Sequence, residues 1–361
     1  MFAGVGRMLA ALGSHNVAVY EWAQADIRKS RLPNGPAWVA LAQPKPPLHF
    51  TGWQLAHAVV KADYLVERDL LLPGLGFLLQ VDRIVDFSPA ANLRIVPGSP
   101  ASLNDFTRTS LSGRLGQGLS LLFAHGKGYN FAGHLASDLA VSSHLASLHG
   151  KTMKLADFLF ETQTMQRMIL ESKASFSQPD NDPSKIKTVL KAALIAVYSC
   201  FREKGNSAQS ALIFVDPPGR DGTGPVELPK SWVRRRNYAA WLAFMGLTDT
   251  ARSLRDIQRR DRIAVDFPIF QVGARRFAMS LTISPHQKGL WIGAGLDVHA
   301  LEAIGAALED DEWPLLTYDG NTTDGGGPAN PVVQNGSVFP DGSLFAAIDG
   351  TMFQGHRTFL L

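Results

Sequence analysis

KLADFLFETQTMQRMILESKAS, residues 154–175, reads as two short apolar strands on either side of a polar centre at Gln163, Thr164 and Met165. A loop that short closes a β-hairpin. A turn centred on Thr164 sets Thr162 against Gln166, Phe160 against Met168, and Asp157 against Glu171. Side chains alternate along a strand, so Glu171 and Lys173 share one face and Asp157 joins them from the neighbouring strand. Phe158 and Phe160 fall on the opposite face, as a core requires. Directly opposed Cβ atoms lie roughly 4.5–5.5 Å apart, and two carboxylates held that close repel unless something neutralises them. A hard divalent cation with oxygen ligands does so, Mg²⁺ or Mn²⁺ being the ions of that kind. Such an ion would polarise a phosphoryl oxygen and activate a water, while Lys173 orients that water or stabilises charge on the phosphate. This gives Asp157, Glu171 and Lys173 catalytic roles in phosphodiester hydrolysis, with Asp157 and Glu171 as metal ligands. The same three charges also suit a plain salt-bridge cluster on a solvated strand face. Convergence in an open cleft separates the two readings.

Residues 108–125, upstream of the hairpin, have helical periodicity through Leu111, Leu115, Leu119 and Leu122, behind the capping residues Asn104 and Asp105. Gly126-Lys127-Gly128 ends that helix. Residues 129–132 suit a short strand, 184–194 a helix after the Pro-Asp-Asn-Asp-Pro turn, and 196–201 and 210–215 two more strands. The order helix, three strands, helix, strand predicts an α/β core with a mixed sheet over residues 104–220. Asp216-Pro217-Pro218-Gly219 breaks the chain after it. Residues 1–103 form an N-terminal extension, with Pro-rich punctuation at 43–47, an amphipathic helix at 53–68 and a strand at 77–87. Residues 221–361 form a basic helical segment at 232–261 and a β-rich region with strands at 267–272, 277–284 and 290–292. Residues 319–331 read as a loop, and Phe339-Pro340-Asp341-Gly342 as a turn between strands. Both extensions are too rich in Trp, Phe and Leu to be solvated tails, so they should pack around the core.

The 361 residues are 45% hydrophobic and 19% charged, which fills a sizeable core and argues against a disordered or fibrous chain. A single cysteine, Cys200, excludes an intrachain disulfide framework and a multi-cysteine zinc site. It sits in an apolar strand pattern that suits an inert buried thiol. No signal peptide and no membrane-spanning apolar run of about 18 residues is read, so the expected location is the cytoplasm. The formal charge of +3, with a pI near 8.9, neither demands nor forbids nucleic acid, so any such surface must come from local patches.

The hairpin with its flanking helices resembles the PD-(D/E)XK nuclease superfamily, the restriction-endonuclease-like fold. Asp157 stands in the place of the motif's aspartate, and Glu171-Ser172-Lys173 in the place of its ExK. The resemblance covers about residues 105–216 and neither end of the chain. It implies a metal-dependent nuclease acting on nucleic acid, DNA favoured, in restriction, phage defence, repair or toxin action. The chain departs from the pattern in two places. Many members carry a glutamate on the first core helix, where this chain has Gln117; the second helix offers Lys185, Lys187 and Lys191. Those departures leave open an alternative, a catalytically inactive protein of the same fold that binds or assembles.

The best further nucleic-acid feature is the basic segment, where Arg234, Arg235 and Arg236, with Arg259 and Arg260, are placed to contact phosphates. A solvated face paired with Asp249, Asp256, Asp261 and Asp266 is the plainer reading. His125, His134, His144 and His149 cluster in sequence around Asp138 without metal-binding helical spacing, although His134 would approach the carboxylates if its strand neighbours the hairpin. The Gly-x-Gly pairs at 116–118 and 126–128 do not form a phosphate loop. Self-association as a homo-oligomer or larger assembly stays open.

Overall fold

The protein, seen in a computed structural model, is mixed α/β with two large sheets. The structure describes residues 15–23, 43–65, 84–86, 93–135, 156–177, 181–191, 196–204, 207–215, 228, 230–256, 262–283, 290–310, 313 and 335–361. In chain order, the first elements are β1 (His15–Glu21), β2 (Gln43–Phe50), α1 (Gly52–Leu65), β3 (Val85–Asp86) and β4 (Arg94–Ile95). The middle of the chain supplies α2 (Asp105–Gly126), β5 (Phe131–His134), β6 (Phe158–Glu161), β7 (Arg167–Ser175), α3 (Pro183–Lys191), β8 (Ala196–Lys204) and β9 (Ser207–Val215). Next come α4 (Trp232–Phe244), α5 (Thr248–Arg255), β10 (Ala264–Val272), β11 (Arg275–Ile283), β12 (Leu290–Asp297) and α6 (Val298–Asp310). The chain closes with β13 (Gly336–Val338), β14 (Ser343–Asp349) and β15 (Phe353–Leu360).

The first sheet has seven strands in the order β2-β1-β9-β8-β7-β6-β5. It is mixed: β7 pairs parallel with β8 and β1 parallel with β9, and its other pairings are antiparallel. Parallel neighbours need a crossover, and α3 supplies the one between β7 and β8. The second sheet has six strands, β13-β14-β12-β11-β10-β15, all paired antiparallel. The N-terminal extension therefore joins the sheet of the core. β2 was expected to be loop punctuation because of Pro44, Pro46 and Pro47, yet it is a strand. It lies at the sheet edge, the place where missing backbone donors are tolerated and where proline discourages further pairing.

The opposite edge, β5, is covered by α4: the Ala132 N–H donates to Asn237 Oδ1 at 3.2 Å. The basic segment is helical as expected and consists of two helices, divided at Gly246, whose φ of 89° ends α4 before α5 begins. Helix α2 starts on the expected cap, with Asn104 Oδ1 accepting from Thr107 N at 2.8 Å. Its neighbour α1 falls where an amphipathic helix was expected, and within it only Gln54 and Asp63 escape burial. A helix buried all round belongs at the centre of a molecule, and α1 packs against α2, α4 and the second sheet. The expected strand at 77–87 lies mostly outside the described residues; Val85–Asp86 is its described part.

One continuous buried cluster links Val17, Val59, Leu119, Phe160, Trp241, Leu296 and Phe345, drawn from every third of the chain. Polar contacts tie the same parts together. Lys61 of α1 is ion-paired with Asp341 of the β13–β14 turn, both fully buried. Asn237 Nδ2 donates to the same carboxylate at 2.6 Å, and Trp241 Nε1 donates to Gly295 O at 2.7 Å. Among the described residues no helix is long and apolar enough to cross a membrane.

Candidate functional site

The hairpin forms with the expected register. Phe158 pairs with Leu170, Phe160 with Met168 and Glu161 with Arg167. Thr162 N donates to Gln166 O at 2.9 Å across the loop, where Met165 takes a φ of 65°. Asp157 sits one residue before β6, opposite Glu171. Its Oδ2 accepts from the backbone N of Ser172 at 2.9 Å, so the strand itself orients the carboxylate. Lys173 Nζ lies 2.5 Å from Glu171 Oε1 and 3.6 Å from Asp157 Oδ2, and donates to Ser172 O at 3.3 Å. Asp157, Glu171 and Lys173 thus converge on one sheet face. Side-chain exposure rises from 10% at Glu171 to 22% at Asp157 and 41% at Lys173, so the cluster is reached from solvent on the lysine side.

The electrostatics follow from that gradient. Burial raises the Glu171 carboxyl above its ordinary value and Asp157 adds to the rise, while Lys173 pulls it back. Burial works against the Lys173 ammonium, but its hydrogen bond to Glu171 and the charge of Asp157 outweigh burial and raise it. The far face of β7 is anchored to α2. Ser172 Oγ and Ser120 Oγ are 2.8 Å apart, and a Cβ on Gly116 would meet Ala174 Cβ at 2.4 Å. Gly116 and Ser120 are one helical turn apart, so a small-residue stripe lets α2 sit directly on the strand that carries the cluster.

A divalent cation suits the oxygens present: Asp157 Oδ2, Glu171 Oε1 and Ser172 O all surround one cationic nitrogen. A third acid is not among them. Within the described residues no group of three His, Cys, Asp or Glu side chains is arranged to hold a metal. Gln117 is half-buried on α2, whose first-turn acid, Asp105, lies three turns away. His134 does lie on the strand next to the hairpin, but it pairs with Phe158 and touches that ring edge-on, on the face away from Glu171. His125 is buried elsewhere, against Phe339. His144, His149 and Asp138 lie outside the described residues.

The arginine triplet is not on a basic surface. Arg234, Arg235 and Arg236 are only 2%, 2% and 8% exposed, which removes them as phosphate contacts and also as a solvated face. Arg234 is drawn inward by Glu161, a fully buried carboxylate at the end of β6. Arg234 Nε donates to its Oε1 at 3.0 Å and Arg167 Nε to its Oε2 at 3.1 Å. Arg234 also donates to Gln163 O at 2.8 Å and lies over the Phe131 ring. Arg235 donates to Leu254 O at 3.4 Å, and Arg236 packs over Trp232. Glu161 in the apolar run FLFE was the sequence signal, since a buried carboxylate demands cationic partners. Arg259 and Arg260 lie outside the described residues. Of Cys200 only its place in β8 is described.

What the described residues define is a mixed α/β protein with a carboxylate–lysine centre on the larger of its sheets. Comparison with protein-family models, curated proteins and solved structures gives no match to this chain.

Proposed function

We propose that the chain is a metal-dependent nuclease with a restriction-endonuclease-like core, hydrolysing phosphodiester bonds of nucleic acid, DNA favoured. The observation that carries this reading is the meeting of Asp157 Oδ2, Glu171 Oε1 and Ser172 O around one cation on adjacent strands. The order α2, β5, β6, β7, α3, β8, with β7 and β8 parallel, supports it. Asp157 and Glu171, with the Ser172 carbonyl, are the groups that would hold Mg²⁺ or Mn²⁺. Such an ion, when bound, supplies Lewis acidity at a phosphoryl oxygen. Asp157 is aimed by the Ser172 N–H, and Glu171 is kept largely from water by burial. Lys173, the most exposed of the three, is placed to donate to a phosphate oxygen or to the attacking water. Arg234, Arg235 and Arg236 are buried, so the groups that grip the nucleic-acid backbone lie outside that triplet.

The lack of a third acid beside Asp157 and Glu171 among the described residues favours a second reading, a catalytically silent protein of this fold that binds or assembles. One experiment separates them. The purified chain is incubated with single- and double-stranded DNA and RNA, with Mg²⁺ or Mn²⁺, with and without chelator. Metal-dependent cutting is expected, and Asp157→Ala or Glu171→Ala should each abolish it while the protein stays folded. A wild type that cuts none of these substrates and binds neither ion sinks the nuclease reading and leaves the silent one.

A further inference from the structure

The position of Lys173 has a consequence beyond chemistry on the phosphate. We propose that Lys173 is the resident cation of the metal-free centre, and that a divalent ion enters by displacing it. The inference rests on the metal-site reading of Asp157 and Glu171.

The two carboxylates face each other across adjacent strands and repel unless a cation lies between them. Lys173 Nζ fills that need, 2.5 Å from Glu171 Oε1, 3.6 Å from Asp157 Oδ2 and 3.3 Å from Ser172 O. A divalent ion needs oxygens at roughly 2.0–2.6 Å, and it would take them from these same atoms. An ammonium lying that close to Glu171 Oε1 therefore overlaps the place of the ion, and two cations so near each other repel. One of them must leave. Asp157 and Glu171 are fixed by the strand and by burial. The lysine is the mobile member: it is 41% exposed and carries its charge on a flexible four-carbon stem. When it swings out, its ammonium moves from the carboxylates towards solvent, where a phosphate would arrive. The same side chain thus guards the empty site and serves the filled one. Removing its charge should strengthen metal binding while ending cleavage, a combination that a purely catalytic lysine does not give.

The test uses the full chain and Mn²⁺, whose binding is followed by calorimetry and by the loss of its free EPR signal. Lys173→Met keeps the stem and deletes the charge. It is expected to bind Mn²⁺ roughly five- to tenfold more tightly than wild type, the scale of one or two half-exposed ion pairs. Its metal-free form should melt at a lower temperature than wild type, and Mn²⁺ should raise that melting temperature by more. Lys173→Arg keeps the charge and is expected to bind Mn²⁺ no more tightly than wild type. Wild type that binds Mn²⁺ while Lys173→Met binds equally or less tightly overturns the proposal. So does tighter binding by Lys173→Arg, which stands as the measure should the methionine variant not fold. No Mn²⁺ binding by any of the three proteins overturns the metal-site reading itself.

Discussion

At the scale of single residues, Ser172 is the hub of the candidate site. Its N–H holds Asp157 and its carbonyl faces the Lys173 ammonium, while its hydroxyl is tied to Ser120 on the other side of the sheet. The motif pattern made Asp157, Glu171 and Lys173 visible in sequence because strand alternation alone puts them together. Ser120 was invisible there, since its partner lies 52 positions away and nothing local marks a buried hydroxyl pair. Ser120→Ala leaves the Ser172 hydroxyl buried without its partner, a loss of about 1–3 kcal/mol. It should also weaken Mn²⁺ binding through the shifted Ser172 carbonyl. Ser120→Ala/Ser172→Ala removes both hydroxyls, so stability should recover in part while Mn²⁺ binding does not. Urea unfolding and Mn²⁺ titration of the two variants check this, and full recovery of metal binding in the double variant would reduce the pair to a packing contact. Gly116 is under the same constraint. A methyl group there meets Ala174 Cβ, so Gly116→Ala should lift α2 from β7 at a cost of about 1–3 kcal/mol.

At the scale of elements, most of the middle of the chain was legible. The helix at α2, the hairpin and its register, α3 and the strands β8 and β9 all follow from periodicity and turn chemistry. What was not legible is where polar residues go when their partners are remote. The sequence of α1 reads as amphipathic, yet its polar residues His57 and Lys61 are both fully buried. Their partners, Ser337 and Asp341, lie 280 positions away on the second sheet. The arginines of α4 were misread for the same reason, their partners being remote: Glu161 on β6 for Arg234 and the Leu254 carbonyl for Arg235. The Lys61–Asp341 pair therefore fastens α1 and α4 to the β13–β14 turn, with Asn237 and Ser343 also donating to the carboxylate. Lys61→Met alone strands a buried carboxylate and should destabilise the protein by about 3–5 kcal/mol. Lys61→Met/Asp341→Asn removes both charges and should fall short of the summed losses by about 2 kcal/mol in urea unfolding. Additive losses would mean that the two elements do not hold each other through this pair.

Across the whole molecule, the seam between the sheets should lose stability on acidification. His57 stacks on Phe339 at 3.7 Å, and His125 meets the same ring edge-on at 4.6 Å. Burial, reinforced by the Lys61 ammonium, lowers His57 well below its ordinary value and brings His125 down to about 3. Both rings are therefore neutral in the folded protein at neutral pH. The unfolded chain takes up their protons near pH 6.5, so stability is lost as pH falls through that value, and the loss continues towards the folded values. Each histidine contributes a slope of about 1.4 kcal/mol per pH unit, and the two together roughly 2.7. Asp341 adds a second loss at lower pH. Burial alone would raise its carboxyl, but Lys61 and the hydrogen bonds from Asn237 and Ser343 hold it far below the usual carboxylate range. Its contribution is present above that range and disappears as pH falls below it. Two losses of the same sign then follow each other on acidification, histidines first and carboxylate second. Urea unfolding at pH 7, 6, 5 and 4 should give a free energy that falls steeply below about pH 6, before ordinary carboxylates titrate. His125→Phe keeps an aromatic ring against Phe339 and deletes one titrating group, so it should flatten the limb between pH 6 and 4 by about half. A wild-type profile that stays level from pH 6.5 to 4.5, or a His125→Phe profile as steep as wild type, would show that the seam does not hold its histidines neutral.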